Sequence, residues 1–272
     1  MHPDMIVAFL ATLAGEGLLA VDPERVARAA APRDERRAGA VVVIPVTGII
    51  VPRTVSTWFG ALPGQDGLRA RVAAAARNPD IGAIVLDVDS PGGIVNGTAE
   101  TAAAVREAAA QKPVVAVANG LMASAAYWLA SGATEIVLAP NAEVGSIGIL
   151  AAHQSYAKLH ERLGVETTVV SAGRYKAEAT PFAPLSDEAK AALQARADAA
   201  YETFAADVAA GRRASVSKVK TGYGEGRVLE GARALAAGLA DRIATLDQVV
   251  AELLAGRGAA KSFRRRSALA FA

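Results

Sequence analysis

Three apolar runs rich in β-branched residues, 41–44 (VVVI), 84–88 (IVLDV) and 114–117 (VVAV), each lead into a glycine-bearing turn, and alanine-rich stretches separate them. A run with little polar alternation reads as a strand buried on both faces. Strands interleaved with helices demand a largely parallel sheet joined by crossover helices. The intervening helices are predicted at 68–77, broken by Asn78-Pro79-Asp80, and at 98–110, ended ahead of Pro113; a further strand is predicted at 135–138. Turns are expected at Thr47-Gly48 and Asn119-Gly120, and a loop at 58–67. In such sheets ligands bind beyond the carboxyl ends of the strands. The turn at 89–93 and the turn leading to Ser124 both follow strands, so they are placed on one edge.

The second half predicts a strand at 167–170, a polar loop at 171–185 and a long helix opened by Ser186 as N-cap. Asp187 and Glu188 suit the positive end of that helix, and Leu193, Phe204 and Val208 follow at helical spacing. Residues 228–254 read as short helices around Gly238-Leu239-Ala240-Asp241. Ahead of the sheet, residues 5–20 contain Glu16 and are too short for a membrane span, which needs ~20 apolar residues. They also lack a basic flank and a small-residue cleavage site, so an amphipathic or buried helix is expected, not a signal peptide or transmembrane segment. Pro23 opens and Pro32 closes a second expected helix. The organisation expected is a helical extension at 1–40, an α/β domain at 41–254, and a basic solvated tail at 255–272 carrying Arg264-Arg265-Arg266.

Composition closes off several chemistries. With no cysteine, disulfides, thiolate catalysis and cysteine-held metals are excluded. The histidines are His2, His153 and His160, and the last two stand ~10.5 Å apart along a helix axis, so no shared metal is expected. Net charge is +2, which gives no overall bias toward nucleic acid. An apolar fraction of 52% with only 5% aromatics is ample for a core of closely packed helices and strands.

Four elements carry potential chemistry. Ser90-Pro91-Gly92-Gly93 ends a buried strand, and successive glycines let backbone N–H groups turn outward, as an oxyanion hole requires. Ser124 opens an apolar helix where the Ala125 amide also points outward; a serine there is more often a simple N-cap. Lys176 lies in the loop at 173–176 (GRYK). A free lysine, with a pKa of ~10.4, must be desolvated to act as a base, and most lysines are solvated surface groups. Gly145-Ser146-Ile147-Gly148 reads by itself as a glycine-rich turn.

Taken in order, these elements resemble a known family. LDVDSPGG (86–93), ASAAYWLA (123–130), VGSIGI (144–149), GRYKAEATPFAPLSDEA (173–189) and ALAAGLAD (234–241) are similar to motifs of the signal peptide peptidase A family and its phage head-protease relatives. The resemblance runs from about residue 41 to 249. It implies a ClpP/crotonase-like α/β fold and a serine peptidase with Ser124 as nucleophile and Lys176 as general base. It further implies Gly93 and Ala125 as oxyanion amides and Ser146 as the residue that orients the lysine, with neither metal nor cofactor. Peptides or unfolded proteins, signal-peptide-like segments among them, are the implied substrates, a ring-like homo-oligomer is the implied assembly, and no nucleic-acid partner is expected. Stretches 151–166 and 175–182 look more like the phage-type enzymes, which implies capsid or scaffold proteins as partners and a cytoplasmic or virion-assembly setting in a prokaryote or phage.

Two rival readings are discriminable. A crotonase-type acyl-CoA enzyme would share the fold and paired amides without needing Ser124 or Lys176. A non-catalytic scaffold protein would have no chemical reason to hold both residues. The sequence GYGEG at 222–226 lacks dinucleotide spacing and follows no predicted strand. The alanine-rich lining predicts a shallow specificity pocket for small or medium apolar side chains.

Overall fold

A computed structural model describes residues 35–57, 60–62 and 64–256. The two N-terminal helices expected before residue 33 and the tail beyond 256 lie outside the described residues. The chain divides into two compact units, one formed by Met1–Gly148 with Phe204–Ala272 and the other by Ile149–Thr203. The segment 41–254, expected as one domain, therefore contains an inserted unit.

The first unit is built on one sheet in the order β1-β2-β5-β6-β7-β10. Its strands are β1 (Arg36–Ala38), β2 (Val41–Ile50), β5 (Ala83–Gly93), β6 (Val114–Ala123), β7 (Glu135–Leu138) and β10 (Arg242–Ile243). The ladders from β2 through β10 are parallel, as the strand-helix alternation predicts, and β1 adds antiparallel to β2. The sheet thus begins inside the expected helical extension. The chain between Ala38 and Val41 turns at Gly39 (φ 56°), which lets β1 fold straight back on β2. A small two-stranded sheet pairs β3 (Val55–Thr57) antiparallel with β4 (Gly60–Leu62), and of the two only β4 falls within the expected 58–67 loop. Beyond the main sheet, β8 (Glu143–Gly145) pairs parallel with β6, and β9 (Val228–Glu230) pairs antiparallel with β8.

The helices of this unit are α1 (Gln65–Arg77), α2 (Thr98–Gln111), α3 (Ala125–Ala130), the end of α5 (Asp187–Arg212), α6 (Val216–Gly222), α7 (Gly231–Ala237) and α8 (Leu246–Leu254). Because the central strands are covered on both faces, their side chains are apolar on both. Val41, Val43, Val85, Val115, Val117 and Val137 form one face with Leu246, Val249 and Leu253 of α8. The alternate positions Val42, Ile44, Ile84, Leu86, Ala116 and Ile136 are equally buried. A capping box fixes the start of α8: Thr245 accepts from the Gln248 amide, and Gln248 accepts from the Thr245 amide. Lys112, just past α2, donates to the carbonyls of Ala75, Asn78 and Ile81 at 3.0, 2.9 and 2.7 Å, so it gathers the end of α1 and the turn into β5.

Each turn expected at 47–48, 89–93 and 119–120 proves to lie at a register slip inside a longer strand. The β2–β5 register passes from Thr47↔Asp89 to Ile49↔Gly92, which leaves an extra residue on β5, and Gly48 takes a φ of 73°. The β5–β6 register passes from Val88↔Ala118 to Ser90↔Met122, with the excess on β6. Side chains compensate for the broken ladder. Asp89 accepts from the Leu121 amide at 3.2 Å, and buried Asp87 accepts from the Asn119 side chain at 3.1 Å. Bulges of this kind bend a strand and re-aim its end. Here they carry the ends of β5 and β6 to the place where the candidate site forms.

The second unit contains α4 (Ala157–Arg162) and the first part of α5. Ser186 caps α5 as expected, accepting from the Ala189 amide at 3.1 Å. The strand predicted at 167–170 is absent: these residues join no ladder, and Val169 and Val170 are exposed. β-Propensity expresses a fit to a paired surface, and within this unit no strand is offered for pairing.

Candidate active site

The chain leaves β6 at Ala123 and enters α3 at Ala125, and the abrupt change of direction falls on Ser124. Its backbone adopts φ 52° and ψ −124°, a conformation that a side-chain-bearing residue rarely holds. Such strain costs about 1–3 kcal/mol and persists only where surrounding structure enforces it. The enforcing contacts are visible: the Ser124 amide donates to the Gly145 carbonyl at 2.8 Å, and its carbonyl accepts from the Trp128 amide at 2.9 Å. Ser124 occupies the N-cap position of α3, yet its side chain makes no capping hydrogen bond. The usual structural employment of a serine at a helix start is therefore not what it does here.

The end of β5 meets this turn. Gly92 has φ 101°, and a methyl group placed on it would lie 2.7 Å from Ser124 Cβ, 2.8 Å from the Ala123 carbonyl and 2.9 Å from the Ala125 nitrogen. Gly93 pairs with Ile50 on β2, where an added Cβ would run into the Ile50 carbonyl. Both glycines of the SPGG run are thus required by close approach of backbone. On the other side, Ser146 follows the Gly145 whose carbonyl receives the Ser124 amide. Ser146 is buried, holds φ 53°, and donates its own amide to the Arg227 carbonyl at 2.8 Å. The glycine-rich stretch at 222–226, set aside in the sequence as an unfit dinucleotide loop, leads into this Arg227 contact. Nothing in its spacing announces that role.

Behind the turn, α3 is anchored by its own side chains. Trp128 stacks on Phe204 with ring centres 4.5 Å apart and planes 7° from parallel, and its Nε1 donates to Asp207 at 2.7 Å. The other Asp207 oxygen receives Arg106 of α2 at 3.1 Å. Tyr127 is fully buried and donates to the Leu239 carbonyl at 2.9 Å; burial pushes its phenol far above the ordinary tyrosine range. Arg212, which grips Asp241 through two hydrogen bonds of 2.9 Å, and the Gly238 carbonyl at 3.0–3.1 Å, stays charged despite its burial.

Of the residues predicted to act together, Gly93, Ser124, Ala125 and Ser146 all lie in the first unit, around the ends of β5, β6 and β8. Lys176 belongs to the second unit, in the turn 172–179, where its side chain is exposed. That turn is tied to the first residues of α5: Glu188 accepts from Tyr175 at 3.0 Å and from Arg174 at 3.3 Å. The bond to Glu188 raises the Tyr175 phenol above its ordinary value. His153 is engaged with the Thr180 carbonyl at 3.1 Å. Among the described residues no group of three or more His, Asp or Glu could hold a metal ion, and no helix is long and apolar enough to cross a membrane.

Residues 106–259 match the model of peptidase family S49. The chain is 37% identical to capsid assembly protease C of Escherichia phage lambda, over 75% of this chain and 46% of the relative. It is 35% identical to head-tail preconnector protein GP5 of Enterobacteria phage P21, over 84% of this chain and 45% of the relative. Protease 4 of Salmonella typhi is 34% identical over 70% of this chain and 30% of its own length. The chain thus matches somewhat less than half the length of the phage relatives. In fold it resembles the solved structure of a mutant of the 1510-N membrane-bound stomatin-specific protease, with a TM-score of 0.51 and 13% identity over 80% of this chain and 86% of that one. On the site motifs, the parallel sheet and the family match together, this chain belongs to peptidase family S49.

Proposed function

We propose that this chain is a serine endopeptidase in which Ser124 is the nucleophile and Lys176 the general base. The observation that carries the reading is the strained Ser124, with no capping bond to its side chain and set against the Gly92 turn. In the proposed reaction the neutral Lys176 amine takes the Ser124 hydroxyl proton while Oγ bonds to the peptide carbonyl carbon. The oxyanion formed is received by the Gly93 and Ala125 amides. Ile94 donates to Ile50 at 2.9 Å, so the Gly93 N–H, one residue earlier, turns to the opposite edge of β5, the edge on which β6 lies. The C–N bond then breaks, the leaving nitrogen takes the proton from Lys176, and water hydrolyses the acyl ester by the reverse sequence of proton transfers. Ser146, buried beside this turn, holds the lysine amine.

Capsid or scaffold proteins are the substrates we infer, because the two phage relatives are named for capsid assembly and for the head-tail preconnector. The active form is a homo-oligomer in this reading. Its support is the set of large apolar side chains that the second unit leaves exposed, Leu163 at 66% and Val170 at 91% among them, surface that association with a further copy would cover.

A digest of denatured proteome with purified protein, compared with Ser124→Ala, tests the function. New termini that depend on Ser124, mostly after small or medium apolar residues, are expected. Identical digests from both proteins would refute the peptidase reading, and cleavage mainly after Lys, Arg, Asp or Glu would refute the pocket assignment. A crotonase-type acyl-CoA enzyme would yield no cleavage at all.

A further inference from the structure

We infer that Ser90 is a positioning residue for the oxyanion-binding turn, an inference that rests on the reading of Ser124 as nucleophile. Ser90 is completely buried at the point where β5 bulges. Its hydroxyl donates to the Gly48 carbonyl at 2.6 Å and accepts from the Gly92 amide at 3.1 Å. Both partners sit where the β2–β5 register slips, between Thr47↔Asp89 and Ile49↔Gly92. At a bulge, backbone groups lose their ladder partners, and an amide as buried as that of Gly92 is costly to leave unpaired. One hydroxyl meets both needs and fixes β2 to β5 across the slip.

The geometric consequence reaches the chemistry in two steps. Holding the Gly92 amide fixes the peptide plane between Pro91 and Gly92, and with it the φ of 101° at Gly92. The next peptide plane carries the Gly93 N–H proposed to receive the oxyanion. The same Gly92 lies against Ser124 and the Ala125 nitrogen, so the turn has no room to drift toward the nucleophile, and the Ser90 tether stops it drifting away. Pro91 lacks an N–H and contributes no competing hydrogen-bond donor. Ser90 touches neither substrate nor Ser124 in this account; it acts through Gly92.

The test is two-step inactivation kinetics with a fluorophosphonate probe on the full chain, which separates the half-saturating probe concentration from the maximal rate of Ser124 modification. Loss of one well-placed oxyanion donor, or its displacement by ~1 Å, costs about a hundredfold. Ser90→Ala is therefore expected to lower the maximal rate by about ten- to a hundredfold among folded molecules. The half-saturating concentration and the shape of the pH profile should stay as in the wild type, because neither binding surface nor base is altered. A purely structural role would lower the melting temperature while leaving the maximal rate of the folded fraction unchanged, and that result would overturn the inference. Should Ser90→Ala not fold, Ser90→Cys keeps the shape with a weak donor; the same rate loss is expected, and a wild-type rate overturns the role. Wild-type protein that is never labelled at Ser124 would defeat the proposed function and this inference together, whereas a labelled wild type with an equally fast Ser90→Ala defeats only the latter.

Discussion

Gly92 and Ser124 are packed so closely that an added methyl on the glycine would stand 2.7 Å from the serine Cβ. Real Cβ atoms do not approach so near, and the 2.8 and 2.9 Å approaches to the Ala123 carbonyl and Ala125 nitrogen are to backbone, which cannot swing aside. Gly92 also holds a positive φ that a side chain resists. Gly92→Ala is expected to reduce peptidase turnover by at least about a hundredfold, since a shift of ~1 Å at a catalytic geometry has that effect. Steady-state kinetics beside a thermal melt would check it; turnover within a few-fold of wild type would show that the turn is not part of the site.

The anchoring of α3 should be separable from the chemistry. Asp207 receives both Trp128 and Arg106, and its removal leaves the indole N–H and a guanidinium short of a partner in a partly buried place. Asp207→Ala is expected to destabilise the fold by about 1–3 kcal/mol, measured by urea denaturation. An unchanged midpoint would mean that the stacking of Trp128 on Phe204 suffices.

Lys176→Arg should be inactive although it preserves the positive charge, because a guanidinium does not give up its proton in the working range of pH. An active arginine variant would move the base elsewhere, and His153 would be the next residue to replace.

If the proposed dyad forms across subunits, mixing inactive Ser124→Ala with inactive Lys176→Ala should restore part of the activity, since some mixed sites receive both intact groups. A dyad within one chain gives no recovery. Light scattering at the assay concentration accompanies this test, and a fully active monomer would refute the oligomer.

The sheet can be read from the sequence because continuous valine and isoleucine runs leave few alternatives to strands covered on both faces. Turn and bulge are not distinguishable there, since Gly48, Gly92 and Gly120 supply the same conformational signal for either. What decides between them is whether a neighbouring strand resumes pairing beyond the glycine, as Ile49 does with Gly92. Residues 167–170 present the opposite case: Thr-Thr-Val-Val has strand propensity, and the missing quantity is a partner. Ser124 is legible through its motif, whereas its backbone strain and the absence of a capping bond emerge only from coordinates. The part played by Ser90 is invisible in the sequence, because a serine before Pro-Gly-Gly is an ordinary turn residue until both partners of its hydroxyl are located.

Ser124 as nucleophile is tested most directly by labelling the intact protein with a fluorophosphonate and mapping the modified residue by peptide mass spectrometry. The expected result is a single phosphonylated peptide containing 123–130, modified at Ser124, and no labelling of Ser124→Ala. Labelling that persists in Ser124→Ala, or that settles on another serine in the wild type, would contradict the account.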